Sequence, residues 1–344
     1  YSDLSEEQQK KALGLDELPL GPPRLGWTTA RHFCRSALES EPYRTRALVS
    51  FGNNMSVSQA DGERTRRALE ALDLYVHVDM FMNPTAEMAD YVLPANTPWE
   101  REALRVGFEI TQEAVEYIQY RPQMIQSVGQ SRADYDVAIA LAQKLGLDDH
   151  FFRGDVRAGW NWHLKPTGVS IEDLFDGNHH IRIPQQVSRT KYASRRSDST
   201  LTGFDTPTRR VELYSEQLFE HGYRPLPSFV EPIATQRRGN RTGQELPLIL
   251  STHKNGVYVH SSHRHVASLR RRAPDPHFDI SAELATDRGL EDGDWAELET
   301  EFGTTRARIH IDEALHPMVV LAAFGWWEDC PPLGMSRPPI VGAG

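Results

Sequence analysis

LYVHVDMFMNPTAEMADYVLP, residues 74–94, decides the fold. Leu74 to Val78 is a run of β-forming residues, and Asp79 follows it. Met88-Ala89-Asp90 leads into a second run, Tyr91-Val92-Leu93, closed by Pro94, which has no N–H to continue a ladder. Working outward, Arg46-Ala47-Leu48-Val49-Ser50-Phe51 is another β-type run, stopped by the turn signal Gly52-Asn53-Asn54. Between it and residue 74, Gly62 to Leu72 reads as helix, with Ala68, Leu69 and Leu72 set among charges. Downstream, DYDVAIALAQKL (residues 134–145) reads as an amphipathic helix, and Gly146 stands where a C-cap would. Strands separated by helical crossovers imply a parallel sheet with helices on its faces. The spacing therefore predicts a doubly wound α/β domain over residues 1–150.

Ligands of an open parallel sheet bind at the carboxyl ends of its strands. Three loops carry suitable residues there. Gly52-Asn53-Asn54 follows the first strand, where glycine permits close approach and asparagine offers donors and acceptors. Asp79 ends the second, where an acidic residue commonly receives ribose hydroxyls or base N–H groups. Asn83 and Thr85 lie just beyond it. Asn, Asp and Thr are equally ordinary turn and N-cap residues, and spacing alone leaves both readings open. Neither a G-x-G-x-x-G nor a Walker motif is present, so NAD-type and P-loop binding have no support.

Residues 151–243 are rich in His, Arg, Pro and Gly and read as an irregular connection, with a surface linker at Gly239-Asn240-Arg241-Thr242-Gly243-Gln244. Residues 244–344 change character again. Leu246 to Ser251 opens a β-rich region; Trp295 to Thr300 and Thr305 to Ile311 alternate and flank Phe302-Gly303-Thr304, which predicts a hairpin. Met318 to Phe324 is a continuous apolar run, expected to be a strand buried on both faces. This second domain is expected to be a small barrel.

The 344 residues, 39% hydrophobic and 25% charged, suffice for two domains or three at the usual size of roughly 100–200 residues each. No apolar run approaches the roughly 18 residues that span a bilayer. The polar, acidic stretch Tyr1 to Lys11 lacks the layout of a signal peptide, and a first residue of Tyr suggests an upstream portion. Compartment is left open between cytoplasm and periplasm. A net charge of −10 argues against nucleic-acid binding. Arg195-Arg196 and Arg270-Arg271-Arg272 are local exceptions, expected to be solvated loops. Cys34 and Cys330 cannot make a four-cysteine cluster and are expected to be free, buried thiols.

A second polar constellation runs Ser251-Thr252-His253-Lys254-Asn255, then Tyr258-Val259-His260-Ser261-Ser262-His263-Arg264-His265. Its spacing matches no standard zinc pattern, and it contains no thiolate or carboxylate. Anion binding is the better physical reading, because Thr, Ser, Lys, His and Arg donors around a turn suit a pyrophosphate. Phe324-Gly325-Trp326-Trp327 offers aromatics that either wall a flat ring system or pack a core.

These patches, in this order, resemble the carboxy-terminal part of the large subunit of the molybdopterin oxidoreductase (DMSO reductase) family. ALVSFGNNMSVSQAD (47–61) is similar to its strand and Gly-Asn loop. LYVHVDMFMNPTAEMADYVLPANTPWERE (74–102) resembles its guanine-nucleotide signature, with Tyr91 in place of a usual valine. GFDTPTRRVELYS (203–215) resembles the link into the last domain, although Arg209 stands where glycine is frequent. LILSTHKNGVYVHSSHR (248–264) and DISAELATDRGLEDGDWAELETEFGTTRARI (279–309) resemble the molybdopterin dinucleotide-binding domain. The resemblance implies a six-stranded double-psi β-barrel at the carboxy end. It implies two molybdopterin guanine dinucleotides per molybdenum or tungsten, contacted by Gly52, Asn53, Asn54, Asp79, Asn83, Thr85, Thr252, His253, Asn255, His260 and Ser261. No residue is identified as a catalytic acid, base or metal ligand; His253 and His260 are the nearest catalytic candidates.

The family's metal ligand and any iron–sulfur cluster belong to an amino-terminal half that has no counterpart here. The expected partners are that half, on the same or another chain, and an iron–sulfur electron-transfer subunit. Two alternatives accompany the redox reading: a cofactor-free scaffold of the kind found in respiratory complex I, and a non-redox hydratase or transhydroxylase. The polar cluster at 248–264 favours an enzyme over a scaffold, since a scaffold need not keep it.

Overall fold

In the computed structural model, which describes residues 5–107, 110–175, 178–185, 190–230, 246–300 and 303–338, the opening stretch folds as a strand–loop–strand. Strands β1 (Ala47–Phe51), β2 (Leu74–Asp79) and β3 (Tyr91–Pro94) form one sheet in that order. The Arg46 carbonyl accepts the Leu74 N–H at 3.2 Å, where β1 and β2 both begin. Along the next pair, Tyr75 accepts from Asp90 at 2.9 Å and Asp79 from Ala95 at 3.0 Å, so the strands advance together and the sheet is parallel. Two helices support it. Ala30–Glu39 starts at a Thr29 cap and Gly62–Glu70 at an Asp61 cap, and they bury Phe33, Cys34, Ala37, Ala68 and Leu69 with Tyr75.

A second sheet, β4 (Ala103–Val106), β5 (Tyr117–Arg121) and β6 (His180–Arg182), is antiparallel throughout. Ile118 and Tyr120 face Leu164, Ile171 and Leu174 in its core. The helix expected from residue 134 spans Asp134–Lys144 and ends before Gly146, whose φ of +72° only glycine adopts at little cost. It buries only Ala142 fully, so its apolar stripe is weaker than its sequence suggests. From 148 to 226 the elements are short, the longest being the helix Val156–Leu164.

The carboxy-terminal region is a mixed five-stranded sheet in the order β7-β11-β8-β10-β9, from β7 (Ile249–His253), β8 (His277–Ile280), β9 (Trp295–Thr300), β10 (Gly303–Ile311) and β11 (Val319–Ala323). The hairpin stands where expected, with Gly303 opposite Thr300 and Arg308 opposite Trp295. β11 is interior, flanked by β7 and β8, yet only Val320 is fully buried. Ser281 caps the helix Ala282–Arg288, which packs Leu284 and Ala285 onto Phe278, Ile280, Ala307 and Ile309. Five strands are seen among the described residues, against the six expected, and the fold is a mixed α/β one. The linker at 239–244 and residue 302 of the hairpin turn lie outside the described residues.

Contacts group into two units. One combines residues 1–77, 81–92 and 227–344; the other combines 78–80 and 93–226. The first is therefore assembled from three separated stretches. No helix among the described residues is long and apolar enough to cross a membrane. Cys34 and Cys330 are free and buried, as expected.

Candidate functional site

The loop after β1 is built from its own asparagines. Gly52 turns the chain at φ +57°. The Asn53 carbonyl then accepts Asn83 Nδ2 at 3.0 Å, and Asn54 Oδ1 accepts the Thr85 hydroxyl at 3.0 Å. Thr85 also accepts the Ser56 N–H at 3.0 Å, while Asn83 Oδ1 caps the N–H groups of Thr85 and Ala86. Asn83 and Thr85 are 3% and 0% exposed. Their side chains thus hold the Asn53–Asn54 loop in shape. Two atoms of that loop are left over: Asn53 Oδ1 and Asn54 Nδ2 are buried without a hydrogen-bond partner among the described residues. An unmade pair of this kind carries a desolvation cost of about 1–3 kcal/mol per atom, which a bound polar group would remove. Asp79 closes β2, half-buried, its carbonyl accepting from Ala95.

The loop after β7 forms the second patch. Thr252 is exposed on the strand and His253 ends it. Asn255 caps the Val257 N–H at 2.9 Å, and the chain turns back through His260 and His263, both at positive φ. His253, Lys254, Asn255, Tyr258, His260 and Phe324 are among the residues around a cavity of about 160 Å³. The Ser261 carbonyl accepts the Trp327 indole N–H at 2.5 Å. Gly325 lies at φ +76°, and a Cβ there would come within 2.9 Å of the His260 carbonyl and the Ser261 Cα. Only glycine lets the end of β11 press so closely on this turn. The Asn53–Asn54 loop with Asn83 and Thr85 shares a unit with the 253–261 turn: the Phe81 ring lies 5.0 Å from His265, and Arg337 reaches Glu87 at 3.1 Å.

Arg264, expected to be one of the anion donors of this turn, lines the cavity but is spent on the protein itself. It is 2% exposed, its guanidinium 4.7 Å from the Tyr258 ring and 5.0 Å from Trp326, and it donates to the Phe324 carbonyl at 2.8 Å. Burial pushes its guanidinium down to about 10, the nearby Glu328 opposing the shift. Arg270 corrects an expectation. It is not in a solvated loop but 2% exposed, over Trp326 at 4.9 Å and donating to the Glu328 carbonyl at 3.2 Å. A buried indole face and a carbonyl compensate the charge that hydration would otherwise hold outside. Arg271, Arg272, Arg195 and Arg196 are exposed, as expected. Trp326 and Trp327, each 8% exposed, pack the core.

A further cluster crosses three strands. His253 Nδ1 lies 3.0 Å from Asp279 Oδ2, His277 Nε2 3.3 Å from Asp279 Oδ1, and His310 Nδ1 2.9 Å from the same oxygen. Only the last is aligned as a hydrogen bond; His253 Nδ1 is buried with no hydrogen-bond partner among the described residues despite its short distance. Burial pushes the His277 imidazolium below its ordinary range, Asp279 opposing.

The protein thus combines a parallel sheet with asparagine-rich loops at its strand ends and a mixed sheet carrying a donor-lined cavity. Two family descriptions match: "Molybdopterin oxidoreductase" over residues 14–144 and "Molydopterin dinucleotide binding domain" over residues 248–339. The chain belongs to the molybdopterin oxidoreductase (DMSO reductase) family and corresponds to the carboxy-terminal part of its large subunit. It is 28% identical over 293 residues to the acetylene hydratase of Syntrophotalea acetylenica, covering 85% of this chain and 38% of that protein. It is 25% identical to the dimethyl sulfoxide/trimethylamine N-oxide reductase of Rhodobacter capsulatus, covering 83% of this chain and 36% of the reductase. The solved acetylene hydratase of Pelobacter acetylenicus superposes with a TM-score of 0.75 at 25% identity, over 96% of this chain and 45% of that one. The chain thus spans little more than a third of the length of these curated relatives. The dinucleotide-binding domain supports a molybdopterin cofactor.

Proposed function

We propose that this chain is part of the catalytic subunit of a molybdenum or tungsten enzyme and holds two molybdopterin guanine dinucleotides. The observation that carries this is the amide pair without a partner among the described residues, Asn53 Oδ1 and Asn54 Nδ2, one acceptor and one donor buried at a strand end. A guanine edge or ribose presents the complementary pair. Asp79 is assigned to a guanine, and Thr252, His253, Asn255, His260 and Ser261 to the pyrophosphate and pterin edge. Of these, His253, Asn255 and His260 line the cavity, where donors around a turn suit an anion. Asn83 and Thr85 act by holding Asn53 and Asn54 in place. When bound, the metal and its dithiolenes supply the redox or Lewis-acid chemistry, and the protein supplies binding, orientation and electrostatics. In this reading the first sheet is doubly wound and the second closes as a double-psi barrel. An amino-terminal half, on the same or another chain, provides the metal ligand and any iron–sulfur cluster.

The test uses the longer parent protein. It should contain molybdenum or tungsten, and acid should release about two guanine monophosphates per metal atom, the count the family resemblance implies. A parent with neither metal nor guanine nucleotide would instead support a scaffold. Asp79→Ala in that parent should lower the retained guanine nucleotide, and unchanged content would remove Asp79 from the site. The likeness to acetylene hydratase, in sequence and in structure, favours a non-redox hydratase as the second reading. Turnover that needs no electron acceptor or donor would select it.

A further inference from the structure

We propose that His253, His277 and Asp279 bind a divalent transition-metal cation of the zinc type, with His310 positioning the carboxylate. The strand register places the cluster. His277 and Asp279 are two apart on β8 and so share a face, while Phe278 and Ile280 between and beyond them point into the core. β10 sets His310 opposite Asp279, and β11 connects to β7 with Ala323 opposite His253. Three strands that are distant in sequence thereby converge on one carboxylate.

The distances suit an ion. Ligand atoms of a tetrahedral zinc at roughly 2.0–2.1 Å stand about 3.3 Å apart. The carboxylate oxygens of Asp279 lie 3.0 and 3.3 Å from His253 Nδ1 and His277 Nε2, and the three ligand atoms fall within 4.8 Å of one another. Those two imidazole nitrogens are near Asp279 without being aimed at it as donors. A cation lying between lone pairs accounts for close nitrogen and oxygen atoms that do not hydrogen-bond. The second observation is His253 itself, whose Nδ1 is buried with no partner among the described residues.

His310 differs. An ionised carboxylate only accepts, so its Nδ1–H donates to Asp279 Oδ1, the arrangement by which a neighbouring group orients a metal-binding carboxylate. With side-chain exposures of 17%, 26% and 13% for His253, His277 and Asp279, the site is recessed but reachable. Three protein ligands leave a fourth position to water, and imidazole with carboxylate suits zinc, cobalt or nickel rather than calcium. The inference needs no pterin, but it claims His253, which as a metal ligand would no longer serve the pyrophosphate.

Zinc and cobalt chlorides serve as probes on the full 344-residue chain after dialysis against a chelator. One zinc per chain should bind by calorimetry, and cobalt should give the visible absorption of a tetrahedral centre. His277→Gln and Asp279→Asn should each weaken zinc binding at least a hundredfold, and His310→Gln by about 10–100-fold, the usual effect of a ligand's orienting partner. His263→Gln, outside the cluster, should bind as the unaltered chain does. Far-UV circular dichroism checks that each variant folds; should one fail, His253→Gln takes its place. No stoichiometric zinc, or binding that survives both His277→Gln and Asp279→Asn, overturns the proposal. So does binding lost in His263→Gln alone.

Discussion

Glu100 shows how much one side chain can organise. Its carboxylate accepts the Thr97 N–H at 2.7 Å and the Val128 N–H at 2.6 Å, with the Ser131 hydroxyl at 3.3 Å. The Thr97 side chain first, then the N–H groups of Val128 and Thr97, hold the carboxyl down to about 2. Because its folded value lies below the ordinary value of about 4.3, the stability it contributes is complete above that pH. It is lost as pH falls toward 2. Urea midpoints measured between pH 6 and pH 2.5 should fall in the native chain, and Glu100→Gln should start lower and flatten that dependence. Gly325→Ala tests a different constraint. A methyl at φ +76°, 2.9 Å from the His260 carbonyl, should cost about 1–3 kcal/mol in denaturant unfolding and open the turn beside the cavity. Cost without displacement of His260 would show that the backbone, not the close approach, is at stake.

Strands and helices differ in how openly their sequences announce them. Trp295 to Thr300 and residues 303–311 alternate, and their turn is local, so the hairpin was legible. Tyr117-Ile118-Gln119-Tyr120-Arg121 alternates as clearly, but β5 pairs with the four-residue β4 and with the three-residue β6 about sixty residues away, partners too short to stand out as strands. Long-range pairing leaves no mark in a local window. The same limit governed the site. Asn53, Asn54, Asn83 and Thr85 were recognisable as polar loop residues, but their mutual bonding follows from the tertiary contact of two loops. His277, Asp279 and His310 were invisible as a group because only strand register unites them with His253. Capping, by contrast, is short-range. Ser281 accepts the Leu284 N–H at 3.0 Å, and Ser281→Ala should cost about 1 kcal/mol by chemical denaturation. A neutral result would mean that packing of Leu284 alone fixes the helix start.

At the scale of the whole molecule, the chain represents 38% of its acetylene hydratase relative. Binding that relies on many convergent contacts collapses when part of the envelope is missing. The isolated 344 residues should therefore show no turnover and retain little or no molybdenum or tungsten by elemental analysis. Stoichiometric molybdenum on this chain would show a more self-contained site than proposed. The three-part construction of the first unit bears on how the protein is made. Residues 1–77 and 81–92 leave the ribosome well before 227–344, the stretch with which they share a unit. At roughly 5–20 residues per second, the delay before residue 227 emerges is on the order of ten seconds. During that interval Phe81 waits for His265 and Glu87 for Arg337. Translation order thus makes the loop beside Asn83 and Thr85 a late-closing seam, open to holdase chaperones while the nascent chain is still tethered.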